Sequence, residues 1–181
     1  IIGRQAERMD NIIEDLLLLS GVERGLEESN MRIEQAKIEG IIHDALEVCD
    51  YKAKKRKIRI GVDCPPDIEA PVNVPLLEQA VINLLDNAIK YTKYGGSIWL
   101  RLKADDSSCV IEVEDTGVGI KAAHQEKVFE RFFVGEKKDS QKGKGTGLGL
   151  ALVGGYGLAL LLLLVVVVRA RVHQALRLPE E

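Results

Sequence analysis

Asn83, Asn87 and Lys90 fall at i, i+4 and i+7 within the run NLLDNAIKYT (83–92). On a helix they share one face, while Leu84, Leu85, Ala88 and Ile89 share the other. Two carboxamides and an ammonium on one face suit a metal-bound polyphosphate, because an amide oxygen is a hard ligand for Mg²⁺ and a lysine neutralises phosphate. The same face also suits plain solvation. DTGVGI (115–120) directly follows a run that reads as a strand. Its two glycines let the backbone turn tightly and approach a flat ligand, and an aspartate at a strand end can accept a hydrogen bond from an exocyclic amine such as that of adenine. A ligand-free acidic turn has the same letters. GTGLGL (145–150), preceded by Gly143 and Lys144, frees backbone N–H groups ahead of a helix whose positive end favours phosphate. It is not a P-loop, since no Gly-Lys-Ser/Thr follows, and it does not open a βαβ unit in the dinucleotide-binding manner.

These segments need elements to hold them. Residues 1–27 read as one helix with a stripe of Ile2, Met9, Ile13, Leu16 and Ser20, widened by Ile12, Leu17 and Leu19, opposite Arg4, Glu7, Arg8 and Glu14. A helix this apolar needs a partner: an upstream helix, a second copy of itself, or its own domain. Gly21 and Gly25 weaken its end and 27–30 reads as a linker. An α/β pattern starts at Met31, with a strand over 31–36 and a helix over 38–55 facing Ile41, Ile42, Ala45, Leu46, Val48 and Cys49 inward. Ile58, Ile60 and Val62 then alternate as in a half-buried strand. Pro65 and Pro66 break the chain, and a second helix over 75–91 carries the asparagine face. YGGS (94–97) forms a turn. The runs 98–102 and 110–114 alternate about the polar ADDSS (104–108), which predicts a hairpin. From 121 to 145 the chain is rich in Lys and Gly, with little apolar period outside 128–134, which predicts a loop holding a short helix. The basic run KAKKRKIR (52–59) sits at a helix end, where cations suit the negative terminus, and is read as solvated surface.

The 181 residues suffice for one domain with a full core and a short extra element. Charged residues at 29% and hydrophobic ones at 46% exclude disorder as the main state. A net charge of −3 leaves no global basic field, so nucleic acid is not an expected partner. Cys49, Cys64 and Cys109 are odd in number and form no CxxC pair, which predicts reduced thiols in a cytoplasmic compartment.

The order and spacing of an Asn-rich helix, DTGVG, the Phe-rich FERFF (129–133) and GTGLGL resemble the N, G1, F and G2 boxes of the sensor histidine kinases of two-component systems. The resemblance covers 31–153. It implies an α+β fold, a two-layer α/β sandwich with a mixed sheet of the Bergerat type shared with gyrase-type ATPases, preceded by a long helix. Residues 31–181 would form the ATP-binding catalytic domain, with a lid over about 120–146, and 1–28 part of the dimerisation and phosphotransfer domain. Position by position, Asn87 would hold Mg²⁺ and Asn83 support the same site, while Lys90 and Tyr91 would contact phosphate and nucleoside. Asp115 would take the adenine amino group in a pocket shaped by Gly117 and Gly119. Gly145, Gly147 and Gly149 would hinge the lid onto the phosphates, Lys144 or Lys142 would reach them, Thr146 and Leu148 would join the nucleotide-binding set, and Phe129, Phe132 and Phe133 would anchor the lid. Asn83 and Lys90 are the candidate catalytic residues. In the related hydrolytic ATPases the position four before the metal-binding asparagine is typically a glutamate that activates water. Asn83 cannot act as a base, so transfer to an external nucleophile fits better than hydrolysis. The implied partners are ATP, a response regulator and a second copy through the N-terminal helix, at the cytoplasmic end of a membrane-anchored receptor.

Three departures qualify the likeness. The helix bearing the phosphoacceptor histidine is absent, and His43, His124 and His173 do not replace it. Val134 and Gly135 follow FERFF where many relatives place an aromatic and an arginine. After Val153 the chain reads GGYGLALLLLLVVVVRARVHQALRLPEE. Residues 150–168 are apolar for nearly a membrane-spanning length, but Gly154, Gly155 and Gly157 interrupt them. A buried helix and strand fit better than a transmembrane helix, and LRLP (176–179) resembles the family's last strand. The altered residues leave room for an alternative, a catalytically degenerate ATP-binding regulatory module.

Overall fold

The structure, a computed structural model, describes residues 32–104, 108–125, 127, 128, 130, 133, 150, 165–166 and 169–172. The N-terminal helix expected over 1–27 and the LRLP segment lie outside them.

Helix α1 (Ile38–Lys55) follows strand β1 (Glu34–Lys37) and buries Ile38, Ile41, Ile42, Ala45, Cys49 and Ala53. The stripe advances by three or four residues, as one helix face requires. Val48, expected inward, lies at the stripe's edge and is 54% exposed. The strand expected over 31–36 begins at Glu34 because its pairing with β3 (Glu69–Val72) sets its limits, from Glu34↔Val72 to Lys37↔Glu69. The sequence reading missed β3. Pro71 sits inside it and argues against a strand, but β3 belongs to a two-stranded sheet with β1, where an unpaired edge tolerates proline. Helix α2 (Val74–Tyr91) starts one residue before the expected site. Asn73 caps it, its Oδ1 accepting from the Leu76 N–H at 3.1 Å, with Pro75 in the first turn. Its inner face of Leu77, Ala80, Val81, Leu84, Leu85, Ala88 and Ile89 is buried.

The main sheet is mixed. β2 (Arg59–Asp63) runs parallel to β4 (Ser97–Ala104), and β4 is antiparallel to β5 (Ser108–Asp115), with Ile98 opposite Asp115. β6 (Val165–Val166) and β7 (Arg169–Val172) pair in parallel with successive parts of β5. In the apolar tail, then, 165–166 and 169–172 are strand, and Leu150 is helical and packs against the core. The rest of the expected buried helix lies outside the described residues. No described helix is long and apolar enough to cross a membrane. Ile98, Leu100, Leu102, Cys109, Ile111 and Val113 face the helices and complete the core of an α+β sandwich. On the opposite face Arg101 pairs with Glu114 and Lys103 with Glu112, each at 2.7 Å. Val62, expected to share the buried side of its strand, is 42% exposed near the end of edge strand β2. Burial pushes the Cys49 thiol up to about 11, and Cys49, Cys64 and Cys109 are free.

The end of α1 closes in a Schellman turn. Ile58 N–H donates to Ala53 O at 3.0 Å and Lys57 N–H to Lys54 O at 2.9 Å, which puts Lys57 at φ 51°. That conformation disfavours any residue with a Cβ by about 1–2 kcal/mol. Replacing Lys57 forgoes a cation–π contact with Tyr94 at 5.7 Å, worth roughly 0.5 kcal/mol at an exposed site. Glycine also loses more chain entropy on folding, which offsets part of the gain. Lys57→Gly is therefore expected to stabilise the fold by about 0.5 kcal/mol, seen as a higher urea midpoint at unchanged slope. A lower midpoint would mean that the lysine side chain outweighs the backbone strain.

Candidate functional site

The last turn of α2 meets the turn after β5, and the candidate residues gather around that junction. Asp115 ends β5, and its Oδ1 accepts from the Gly117 N–H at 2.6 Å. Thr92, only 1% exposed and the sole buried polar residue among those described, places its Oγ1 3.5 Å from the same oxygen. Both contacts fall on Oδ1, and no described donor engages Oδ2. The turn is fastened to β4 as well: Thr116 N–H donates to Ser97 O at 3.1 Å, and Ser97 N–H donates to Thr116 Oγ1 at 3.0 Å. Gly117 is required by space. A Cβ there would stand 2.4 Å from Asp115 Oδ1 and 2.6 Å from Tyr91 O. Gly119 is required by conformation, at φ 69°.

Asn83, Asn87 and Tyr91 are spaced by four residues, so the helix face that meets the Asp115 turn continues back through both asparagines, over about 12 Å of helix. All of Asn83, Asn87 and Lys90 are half-buried. Gln79, one turn earlier, donates from Nε2 to Asn83 Oδ1 at 3.3 Å. Asn83 Nδ2 is buried and finds no partner among the described residues. An unmet buried donor costs about 1–3 kcal/mol, and an anionic oxygen of a ligand would relieve it. No described group engages the Asn87 carboxamide, so its oxygen remains available to a hard cation. Lys90 Nζ lies 4.9 Å from the centroid of the half-exposed Tyr91 ring. The donor set thus fits a polyphosphate carrying Mg²⁺.

Lys144, Gly145, Thr146, Gly147, Leu148 and Gly149 lie outside the described residues, as do Lys142, Val134, Gly135, Phe129 and Phe132. Of the expected lid, helix α3 is the short Ala122–Gln125, and the Phe133 ring packs edge-on against His124 at 5.4 Å. His43 is exposed, 3.8 Å from Glu39 on the same helix. Sequence reasoning passed over Gln79, Thr92 and Arg56. Gln79 had a signal, since it lies four residues before Asn83. Thr92 follows Tyr91 in the motif, but nothing local placed its hydroxyl against Asp115. Arg56 was read as surface charge. Instead its guanidinium donates to the carbonyls of Ile89, Lys90 and Thr92, the last two at 2.8 Å each. The cation does serve a negative helix end, but that of α2 rather than of its own helix.

Residues 72–172 match the family model described as histidine kinase-, DNA gyrase B-, and HSP90-like ATPase. The chain is similar to the sensor histidine kinase RppB of Synechocystis, 35% identical over 142 residues, covering 78% of this chain and 31% of that protein. It is similarly related to the phosphate regulon sensor protein PhoR of Pseudomonas aeruginosa, 34% identical over 141 residues, covering 77% and 31% respectively. Among solved structures, the mycobacterial sensor histidine kinase MprB superposes with a TM-score of 0.59 at 30% identity, covering 70% of this chain and 79% of that one. The chain spans about a third of the length of these curated relatives.

Proposed function

Because the chain belongs to the histidine kinase-, DNA gyrase B- and HSP90-like ATPase family, on the sensor histidine kinase side of it, we propose that it binds MgATP at the α2–Asp115 junction. From there it transfers the γ-phosphoryl group to a histidine outside this chain. The observation that carries this reading is Asn83. It occupies the place where a hydrolase would need a base, and it offers a buried unpaired N–H group instead. A carboxamide does not take up a proton at neutral pH, so it can donate to a phosphate oxygen but cannot activate water as a base.

Asp115 Oδ2 accepts from the adenine amino group, and Gly117 and Gly119 let the base lie close to the backbone. Lys90 neutralises phosphate, and Tyr91 flanks the nucleoside. Asn87 would hold Mg²⁺, which would supply positive charge against the polyphosphate. A nitrogen of the acceptor imidazole attacks the γ-phosphorus, the bond to the β–γ bridging oxygen breaks, and ADP departs. The protein's contribution is alignment in a site that withholds a base from water. A lid over about 120–146 hinges onto the phosphates at Gly145, Gly147 and Gly149, with Lys144, Thr146 and Leu148 contributing to the phosphate contacts. Residues 1–28 supply a dimerisation helix, a response regulator receives the phosphoryl group, and the domain works at the cytoplasmic end of a membrane-anchored receptor.

Calorimetry of ATP binding with and without Mg²⁺, on this chain and on Asn87→Ala, tests the reading. The expected result is Mg²⁺-dependent binding that the substitution weakens at least about tenfold in Mg²⁺, with little change in its absence. Equal binding of MgATP by both proteins would remove Asn87 from the site. A transfer assay with a separate phosphoacceptor domain then distinguishes the reaction classes. Labelled phosphate should appear on the acceptor histidine, and free phosphate released without an acceptor would point to a hydrolase. Tight binding without transfer would favour a degenerate regulatory module.

A further inference from the structure

The three contacts of Arg56 end on the helix turn that carries the nucleotide site, which gives this residue a role beyond neutralising a helix end. It lies just past α1, 33 to 36 positions before the carbonyls it binds. Its own carbonyl accepts from Gly95 N–H at 3.0 Å, so it also ties down the connection from α2 to β4. Of the four consecutive carbonyls from Ile89 to Thr92, Arg56 holds three, and the remaining one, Tyr91 O, is the atom that a Cβ at Gly117 would strike. Thr92, whose carbonyl Arg56 holds, is the residue whose buried hydroxyl stands against Asp115 Oδ1.

From this chain of contacts we infer that Arg56 is a positioning residue for nucleobase selectivity. By holding the end of α2, it fixes Thr92 and Tyr91 against the Asp115 turn, so that Asp115 presents Oδ2 toward a 6-aminopurine. Only a guanidinium can do this: its rigid fork reaches several acceptors at once, whereas an ammonium acts as a point donor. The inference rests on the assignment of Asp115 as the acceptor for the base.

The test compares binding of ATP and inosine triphosphate, which replaces the 6-amino donor with a carbonyl, in the full chain and four variants. Asp115→Asn is expected to erase the preference for ATP. Arg56→Ala and Thr92→Val should each weaken ATP about tenfold while leaving inosine triphosphate nearly unchanged. Thr92→Ser, which keeps the hydroxyl, should restore the preference. A merely structural role would lower Tm and weaken both nucleotides alike. If Arg56→Ala does not fold, Arg56→Lys replaces it and should lose most of the preference, and Thr92→Val carries the test independently because it leaves the guanidinium contacts in place. If Asp115→Asn keeps the wild-type preference, the base assignment fails and this inference with it. If Asp115→Asn loses the preference while the Arg56 and Thr92 variants retain it, the inference alone is overturned.

Discussion

Gly117→Ala is expected to cost roughly 10- to 100-fold in ATP affinity while leaving the fold nearly intact. The added methyl would stand 2.4 Å from Asp115 Oδ1 and 2.6 Å from Tyr91 O, both far inside contact distance. One of those atoms belongs to the proposed base acceptor and the other to the end of helix α2. Overpacking of this kind costs about 1–3 kcal/mol. Because the turn lies at the surface, with Thr116 and Val118 exposed on either side, the strain is relieved by displacing the turn and the carboxylate rather than by unfolding. Calorimetry would register the loss of affinity, and a thermal melt would show a Tm within a few degrees of wild type. Wild-type affinity in Gly117→Ala would mean that the carboxylate can move without consequence, and Asp115 would then not be the base acceptor.

The second large effect has the opposite signature. Leu85→Ala is expected to destabilise the protein by about 3 kcal/mol, within the range for truncating a fully buried leucine, while the folded fraction keeps its nucleotide affinity. Leu85 is 0% exposed and belongs to the core that α1, α2 and the sheet enclose. Asn83 and Asn87 lie on the other side of the same helix, so the cavity opens away from the site. Urea denaturation measures the first quantity and calorimetry at low temperature the second. An unchanged urea midpoint would contradict the packing of α2's inner face into the core. A large loss of affinity with full folding would mean that the two faces of α2 are coupled through the backbone.

Together these substitutions divide α2 into a supporting face and a working face, and that division was legible in the residue string. Leu84, Leu85, Ala88 and Ile89 alternate with Asn83, Asn87 and Lys90 at helical spacing, and a period of 3.6 residues can sort them in only one way. The same local rule located α1 to the residue and the hairpin of β4 and β5 closely, because apolar alternation and capping residues act over a few positions. It failed at β3, a short strand holding Pro71 whose pairing with β1 no local pattern announces. It also misjudged Val48, where a single position at the edge of a stripe is decided by what packs beside it.

The site divides in the same way. Asn83, Asn87, Lys90, Asp115, Gly117 and Gly119 were each open to a bland reading, and it was their order together with FERFF and GTGLGL, through the resemblance they carry, that led from the sequence to a nucleotide and Mg²⁺. What only the tertiary structure decided is how those groups are held. It set Asn83 with its N–H group unpaired, Thr92 against Asp115 and Arg56 on the carbonyls of a helix more than thirty residues away. No periodicity encodes such contacts. They arise where separate elements close on one another, and a hydrogen-bonding group buried there must take whatever partner the packing brings.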